Sequence, residues 1–441
     1  METTNTIQIG ALIMGLFGGL AIFLYGMEQM DNALKRVAGG KMKKLLAKAT
    51  DNRLKGVATG AFVTAVVQSS SVTTVLVVGF ISAGLMSLSQ SIGVIMGANI
   101  GTTITAQIVA FKVTQYALVM VAVGFVMYFF FKQDKHEKLR QYGLMLLGLG
   151  LVFFGLTLMS GATKPLRTYQ PFIDLMQQMS NPLLGILVGA LFTALVQSSS
   201  ATTGVIIVLA SQGFITLEAG IALAFGANLG TCVTALLAAI GKPREAVQAS
   251  MVHLVFNIAG VLLWFGFIDQ LAYIVRLISP AASELTGSAR LAAETPRQIA
   301  NAHTLFNVAN TAIFIWFTVP IARLMQYLIP ERKTEPALVQ PNYLDPILVE
   351  TPELALDQVK LELGRLGGFV RQMLDRALPA VFNGSREDLN SLVQMDRNVD
   401  RLYGEIFAYL NRLSRENLLT SQSVQLSNYM SAANAIENIG N

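Results

Sequence analysis

The sequence predicts an all-α, polytopic membrane protein: two inverted-topology repeats with re-entrant helical hairpins and broken helices, followed by a cytoplasmic helical bundle. Three observations carry this. Apolar runs near twenty residues long recur over residues 8–329, enough to cross a hydrocarbon core about 30 Å thick. Only 13% of the 441 residues are charged, against roughly 25% in soluble domains, and mean hydropathy is +0.53. A stretch of 47 residues occurs twice without a gap, Gly60–Ala106 and Gly189–Ala235, with 22 identities. Self-similarity of that kind marks a duplicated structural unit.

The register extends back to Gly19/Gly148, Gly26/Gly155, Met30/Met159 and Lys35/Lys164, so the units are about 8–110 and 141–239. Short basic loops stay cytoplasmic. Residues 31–55 hold eight Lys and Arg, and residues 132–140 hold four, whereas the counterpart loop 161–181 holds only Lys164 and Arg167. The first helix of one copy therefore runs outside to inside and that of the other inside to outside. An even number of crossings must separate the two basic loops, yet three apolar stretches lie between them, at about 56–83, 88–110 and 115–131. A re-entrant 56–83 restores parity. Its halves, either side of Gln68–Ser71, span about 18 Å each at 1.5 Å per residue. The equivalent hairpin, 182–213, falls on the outer side. Further spans are expected at 217–239, 249–267 and 301–329, with the N-terminus outside and everything after 330 cytoplasmic.

The first apolar stretch has no basic residues before it, so it reads as a span rather than a cleaved signal. Pro330, Pro336, Pro341, Pro346 and Pro352 then interrupt the chain. The reading divides it into a membrane domain (1–335), a linker (336–351) and a charged, amphipathic domain (352–441) with helices near 352–381, 385–415 and 419–439. The last of these ends abruptly, so this domain is expected to be incomplete. Cys232 is the only cysteine, which excludes an intrachain disulfide, and its apolar neighbours argue against a metal. The net charge of +5 lies in loops between spans and indicates no nucleic acid.

Gly56–Phe111 contains no charged residue, and Leu175–Gly241 only Glu218. Both are crowded with Gln, Ser, Thr and Asn. At the hairpin tips, Gln68, Ser69, Ser70 and Ser71 match Gln197, Ser198, Ser199 and Ser200. Each second half-helix would start with unpaired N–H groups, a setting that attracts anions. GANIGT (97–102) and GANLGT (226–231) read as a second break, in a spanning helix, where carbonyls and side-chain oxygens suit Na⁺. Paired breaks in inverted halves point to a midplane site. A single QSSS reads as close helix packing ahead of a site; two, each followed 26 residues later by GANxGT, reverse that order and favour a site. His253/Asn257 and His303/Asn307 form a second echo, read as interhelical hydrogen bonding ahead of a proton relay. Asp396 and Asp400 read as a solvated face ahead of a metal patch.

Taken together, the duplicated QSSS with trailing GANxGT resembles the type II sodium/phosphate cotransporter family over residues 8–329. Ala435-Ile-Glu437-Asn-Ile-Gly440 is similar to the PhoU-like domains of bacterial members. The resemblance implies Na⁺-driven movement of inorganic phosphate across the cytoplasmic membrane by alternating access. It places Gln68, Ser69, Ser70, Ser71, Gln197, Ser198, Ser199 and Ser200 at phosphate. Thr73, Thr74, Asn99, Thr102, Thr202, Thr203, Asn228 and Thr231 become sodium neighbours, although Cys232 opposite Thr103 breaks the match.

The expected partners are inorganic phosphate, Na⁺ as coupling ion and the lipid bilayer, with no other cofactor or metal; a homodimer stays open. Without Lys or Arg in the site, phosphate would be held by neutral donors, helix N-termini and co-bound Na⁺. The alternatives are phosphate export or carriage of another small anion. An intramembrane serine enzyme is remote, because the QSSS segments bring no base of their own, and no enzyme is expected.

Overall fold

The computed structural model describes residues 9–48, 52–82, 86–111, 114–131, 137–240, 244–329, 340–416 and 418–440. Lys132, Lys135, Pro330 and Pro336 lie outside these residues, as do the side chains of Lys41, Lys43, Lys44 and Lys48, so those parts of the orientation and linker readings fall outside the description. Among the described residues all regular structure is helical. The first copy comprises α1 (Ile9–Lys48), α2 (Arg53–Val67), α3 (Ser70–Ser82) and α4 (Leu88–Val109), followed by α5 (Ala117–Phe130). The second comprises α6 (Glu137–Thr163), α7 (Gln170–Gln178), α8 (Pro182–Val196), α9 (Ser199–Ser211) and α10 (Leu217–Ala239). After these come α11 (Arg244–Phe265), α12 (Ile268–Ile278), α13 (Gly287–Phe314) and α14 (Thr318–Leu328). The charged domain is α15 (Pro352–Asn383), α16 (Arg386–Leu413) and α17 (Thr420–Gly440).

Among the described residues six segments are long and apolar enough to cross a membrane: Gly10–Val37, Leu88–Val109, Glu137–Thr168, Leu217–Leu237, Val247–Phe265 and Gly287–Leu328. The expected span at 301–329 thus begins fourteen residues earlier, at Gly287, and the preceding segment holds the additional helix α12. That helix buries Ile268, Leu271, Ala272 and Val275 on one face.

The expected break at GANxGT is not there. Both α4 and α10 run unbroken through Gly97–Thr102 and Gly226–Thr231. The glycines serve close approach instead. A Cβ on Gly97 would lie 2.0 Å from the Val57 carbonyl oxygen, and one on Gly226 would lie 2.1 Å from that of Ile186. Gly101 and Gly230 meet the Ala61 and Ala190 carbonyls in the same way. Glycine at four-residue spacing therefore seats α2 on α4 and α8 on α10, as small residues do between membrane helices.

The two copies meet along α1 and α6, which run antiparallel. Gly19 packs on Gly155 and Met159, and Gly26 packs on Gly148 and Val152. Because Gly148 is the counterpart of Gly19 and Gly155 that of Gly26, each contact is the other with its partners exchanged. A second duplication, at an offset of 50 residues, relates α11–α12 to α13–α14: His253/His303, Phe256/Phe306, Asn257/Asn307, Ala272/Ala322. These elements cross between two cores. Phe256 and Met325 pack with Val77 and Met96 of the first copy. Phe306 and Val275 pack with Ile206 and Phe225 of the second, the matching positions.

The charged domain has its own core, in which Val359, Leu366, Leu402, Ile406 and Leu410 are buried. A capping box, Ser385 with Asp388, starts α16. Residues 340–351 lie against this domain. Buried Glu362 accepts from the backbone N–H groups of Asn342 (2.9 Å) and Tyr343 (2.7 Å), and the Tyr409 hydroxyl donates to the Asp345 carbonyl at 2.8 Å.

Candidate functional site

The two tips are built alike, and Q-S dictates the build. Gln68 and Gln197 close their helices in the left-handed region, with φ of 57° and 56°, and their N–H groups bond the carbonyls of Thr64 and Thr193 at 2.7 Å. A left-handed residue of this kind is a common helix stop, though usually glycine fills it. The next residue then caps the following helix. Ser69 Oγ accepts from Val72 N at 3.3 Å, and Ser198 Oγ from Ala201 N at 3.2 Å. The helix halves are stapled by hydroxyls: Thr64 donates to Thr73 and Thr193 to Thr202, each at 2.8 Å. Thr73 and Thr202 themselves donate to the Ser69 and Ser198 carbonyls, and Thr74 and Thr203 to those of Ser70 and Ser199.

The tips differ in surroundings. Gln68 is buried, its Oε1 accepting from the Thr105 hydroxyl and its Nε2 donating to the Ala65 carbonyl, whereas Gln197 is exposed. Ser70, Ser199 and Ser200 are buried in the first turns of α3 and α9; Ser71 is half-buried. Thr102 and Thr231 donate to carbonyls four residues back, so their oxygens keep lone pairs for an acceptor role.

Asn99 and Asn228 sit in matched, closed networks. Asn99 Nδ2 donates to Asn257 Oδ1 at 2.9 Å, Asn257 Nδ2 donates to the His253 carbonyl at 2.8 Å, and His253 Nε2 lies 3.1 Å from Asn99 Oδ1. Asn228, Asn307 and His303 repeat this at 3.1, 2.8 and 3.0 Å. The His–Asn echo therefore ties α11 to α4 and α13 to α10. Cys232 is buried against the carbonyls of Asn228 and His253.

Both tips reach one cavity of about 800 Å³. Gln68 comes from the first, Ser198 and Ser200 from the second. Sequence reasoning missed the rest of the wall. Asp31, Lys35 and Arg36 of α1 line the cavity, so it does carry fixed positive charge, contrary to expectation. These three lie over thirty residues before the motif, in a loop counted only for orientation; the signal that would have found them is ionisable residues at the end of an apolar run. Thr351 at the end of the linker and Pro352, Glu353, Glu416 and Gln422 of the charged domain roof the cavity. Burial, with Asp357 adding repulsion, pushes the Glu353 carboxyl above its ordinary value. Among the described residues no group of three or more His, Cys, Asp or Glu could hold a metal ion. Asp396 and Asp400 lie apart from the cavity, where desolvation and then Asp396 and Glu437 raise the Asp400 carboxyl.

Comparison with known proteins fits this geometry. The Na⁺/Pi-cotransporter family matches residues 22–161 and 170–281, and the PhoU domain family matches 363–441. YjbB of Escherichia coli (strain K12), named as an inorganic phosphate export protein, is 26% identical over 412 residues, covering 93% of this chain and 73% of its own. YqeW of Bacillus subtilis, uncharacterised, is 31% identical over 323 residues, covering 73% and 100%. The rat sodium-dependent phosphate transport protein 2C is 46% identical over 103 residues, covering 22% and 16%. No solved structure matches. With more than half its length matched across both copies of the duplicated unit, the chain belongs to the Na⁺/Pi-cotransporter family.

Proposed function

We propose that this chain is a secondary active transporter that couples Na⁺ to movement of inorganic phosphate by alternating access. The observation that carries the reading is the convergence of both QSSS tips on one polar cavity. Two capped half-helices there offer N–H and hydroxyl donors to an anion. Lys35 and Arg36 add attraction from one side, and co-bound Na⁺ lessens the cost of burying phosphate charge. The exchanged glycine contacts of α1 and α6 support inverted repeats, since a two-fold axis crossing antiparallel copies produces contacts of that form. On this reading α2–α3 and α8–α9 are re-entrant hairpins, the N-terminus is outside, and the charged domain faces the cytoplasm of a cell whose inner membrane holds the protein. The cavity then opens inward. The test is uptake of labelled phosphate into proteoliposomes with Na⁺ and then with K⁺. Na⁺-dependent uptake is expected; equal uptake in both removes the coupling.

The second reading is phosphate export, favoured by the likeness to YjbB over nearly the whole chain. The same apparatus runs either way with the gradients. Efflux from phosphate-loaded vesicles that needs no Na⁺ would favour it.

A further inference from the structure

The hairpin tips account for the neutral part of the cavity wall, but α1 supplies a charge that phosphate binding leaves without a task. Asp31 stands in the spanning segment Gly10–Val37 and lines the same cavity as Gln68, Ser198 and Ser200. Its Oδ1 is shut off from solvent and has no hydrogen-bond partner. A carboxylate at membrane depth is costly and persists where it serves an ion or proton path. This one also faces the space assigned above to an anion. Empty, it repels phosphate; neutralised, it does not.

We propose that Asp31 binds a monovalent cation, Na⁺ or a proton, that is carried with the substrate and contributes one charge of the coupling. The inference rests on the phosphate reading. The hydroxyls of Ser198 and Ser200 share the cavity and are hard oxygen donors of the kind Na⁺ takes. A proton would need none of them, only an orphaned carboxylate oxygen. Either ion satisfies Asp31 and removes its repulsion, so cation and phosphate each tighten the other by the same factor. The other charged groups facing the space are Glu28, Lys35 and Arg36 on the same helix, and Glu353 and Glu416 from the roof. Lys35 and Arg36 are fixed cations; Lys35, one turn on, interacts with Asp31, so neutralising Asp31 also leaves more of the Lys35 charge to phosphate.

Calorimetry on the full chain in lipid nanodiscs tests this. Phosphate affinity is measured against Na⁺ at fixed pH, and against pH at fixed Na⁺. In the wild type, affinity rises with the ion that Asp31 takes. Asp31→Asn removes one ion from that response, so its gain per tenfold rise in that ion is about tenfold smaller. Asp31→Glu retains the response. Loss in the Na⁺ arm identifies Na⁺, and loss in the pH arm identifies the proton. An Asp31→Asn protein that keeps the wild-type response in both arms overturns the proposal. Wild-type protein that binds no phosphate under any condition instead removes the reading beneath it. Should Asp31→Asn fail to fold, a hydrophobic carbodiimide mapped onto wild-type Asp31 decides: bound Na⁺ slows labelling in the first case, and phosphate shifts its pH dependence upward in the second. Labelling indifferent to Na⁺ and phosphate alike overturns the proposal.

Discussion

At the scale of single residues, the geometry separates the serines that cap from those that line the cavity. Ser69 and Ser198 both cap helices, but only Ser198 also lines the cavity, together with Ser200. Loss of a serine cap costs about 1 kcal/mol. Ser69→Ala and Ser198→Ala should therefore lower the melting temperature of purified protein by similar amounts. A hydrogen bond to a charged group contributes about 1.5–3 kcal/mol, which is roughly ten- to more than a hundredfold in affinity. Ser198→Ala and Ser200→Ala should show that loss for phosphate, while Ser69→Ala should not. Equal affinity losses at Ser69 and Ser198 would mean that capping, not contact, is being measured. The break at each tip was legible in the sequence, because four polar residues interrupt an apolar run at matched positions of both copies; which serine caps and which lines the cavity was not. Asp31, Lys35 and Arg36 were not legible as site residues. Their helix, α1, returns to the tips only through tertiary packing, and no motif spacing encodes that.

At the scale of elements, GANxGT shows how one residue type can carry two opposite messages. Glycine permits a break, and it also permits backbones to touch; sequence alone does not choose between them. Here the neighbours decide, because the Val57 and Ile186 carbonyls sit where a Cβ would be. Gly97→Ala and Gly226→Ala should each force the hairpin off its supporting helix and lower thermal stability. Gly10→Ala, facing open space, should change it little. The motif's asparagine has the matching polar role. Asn99→Ala strands His253 and Asn257, and Asn228→Ala strands His303 and Asn307. An unsatisfied buried polar group costs about 1–3 kcal/mol. Each variant should unfold earlier in thermal melts, and by comparable amounts, since the two networks agree within about 0.2 Å in every bond. A fall in Na⁺ affinity without any loss of stability would instead mark Asn99 or Asn228 as an ion ligand. The short helix α12 and the early start of α13 escaped the sequence reading for a simpler reason. Their buried faces alternate with charged residues such as Asp269, Arg276 and Arg290, so no apolar run announces them.

At the scale of the whole molecule, the charged domain contributes one wall, the roof, of the cavity that both repeats line. Glu353 lies in this roof, and its carboxyl is raised above the ordinary value by burial and by Asp357. Asp357 sits on the same helix and repels Glu353 whether or not the domain is docked. Only the part of the rise that comes from burial against the cavity depends on docking, and that part favours docking at low pH. That contribution is fully present below the ordinary carboxylate value of 4.5 and is lost as pH rises through the raised one. The roof should therefore loosen as pH climbs out of the acidic range. A cysteine introduced by Ser200→Cys, in a background where Cys232 is replaced, reads this directly through its rate of modification by a charged thiol reagent. Modification should come from the side on which a Glu416→Cys reporter reacts. A Leu285→Cys reporter, in the loop before α13, should react from the opposite side. Because thiols themselves react faster at higher pH, the decisive comparison adds Glu353→Gln. This change keeps the side chain neutral at every pH, so it should slow modification of the Ser200→Cys thiol near pH 7 and leave only the thiol's own pH dependence. If Glu353→Gln leaves both the rate and its pH profile unaltered, Glu353 does not hold the roof.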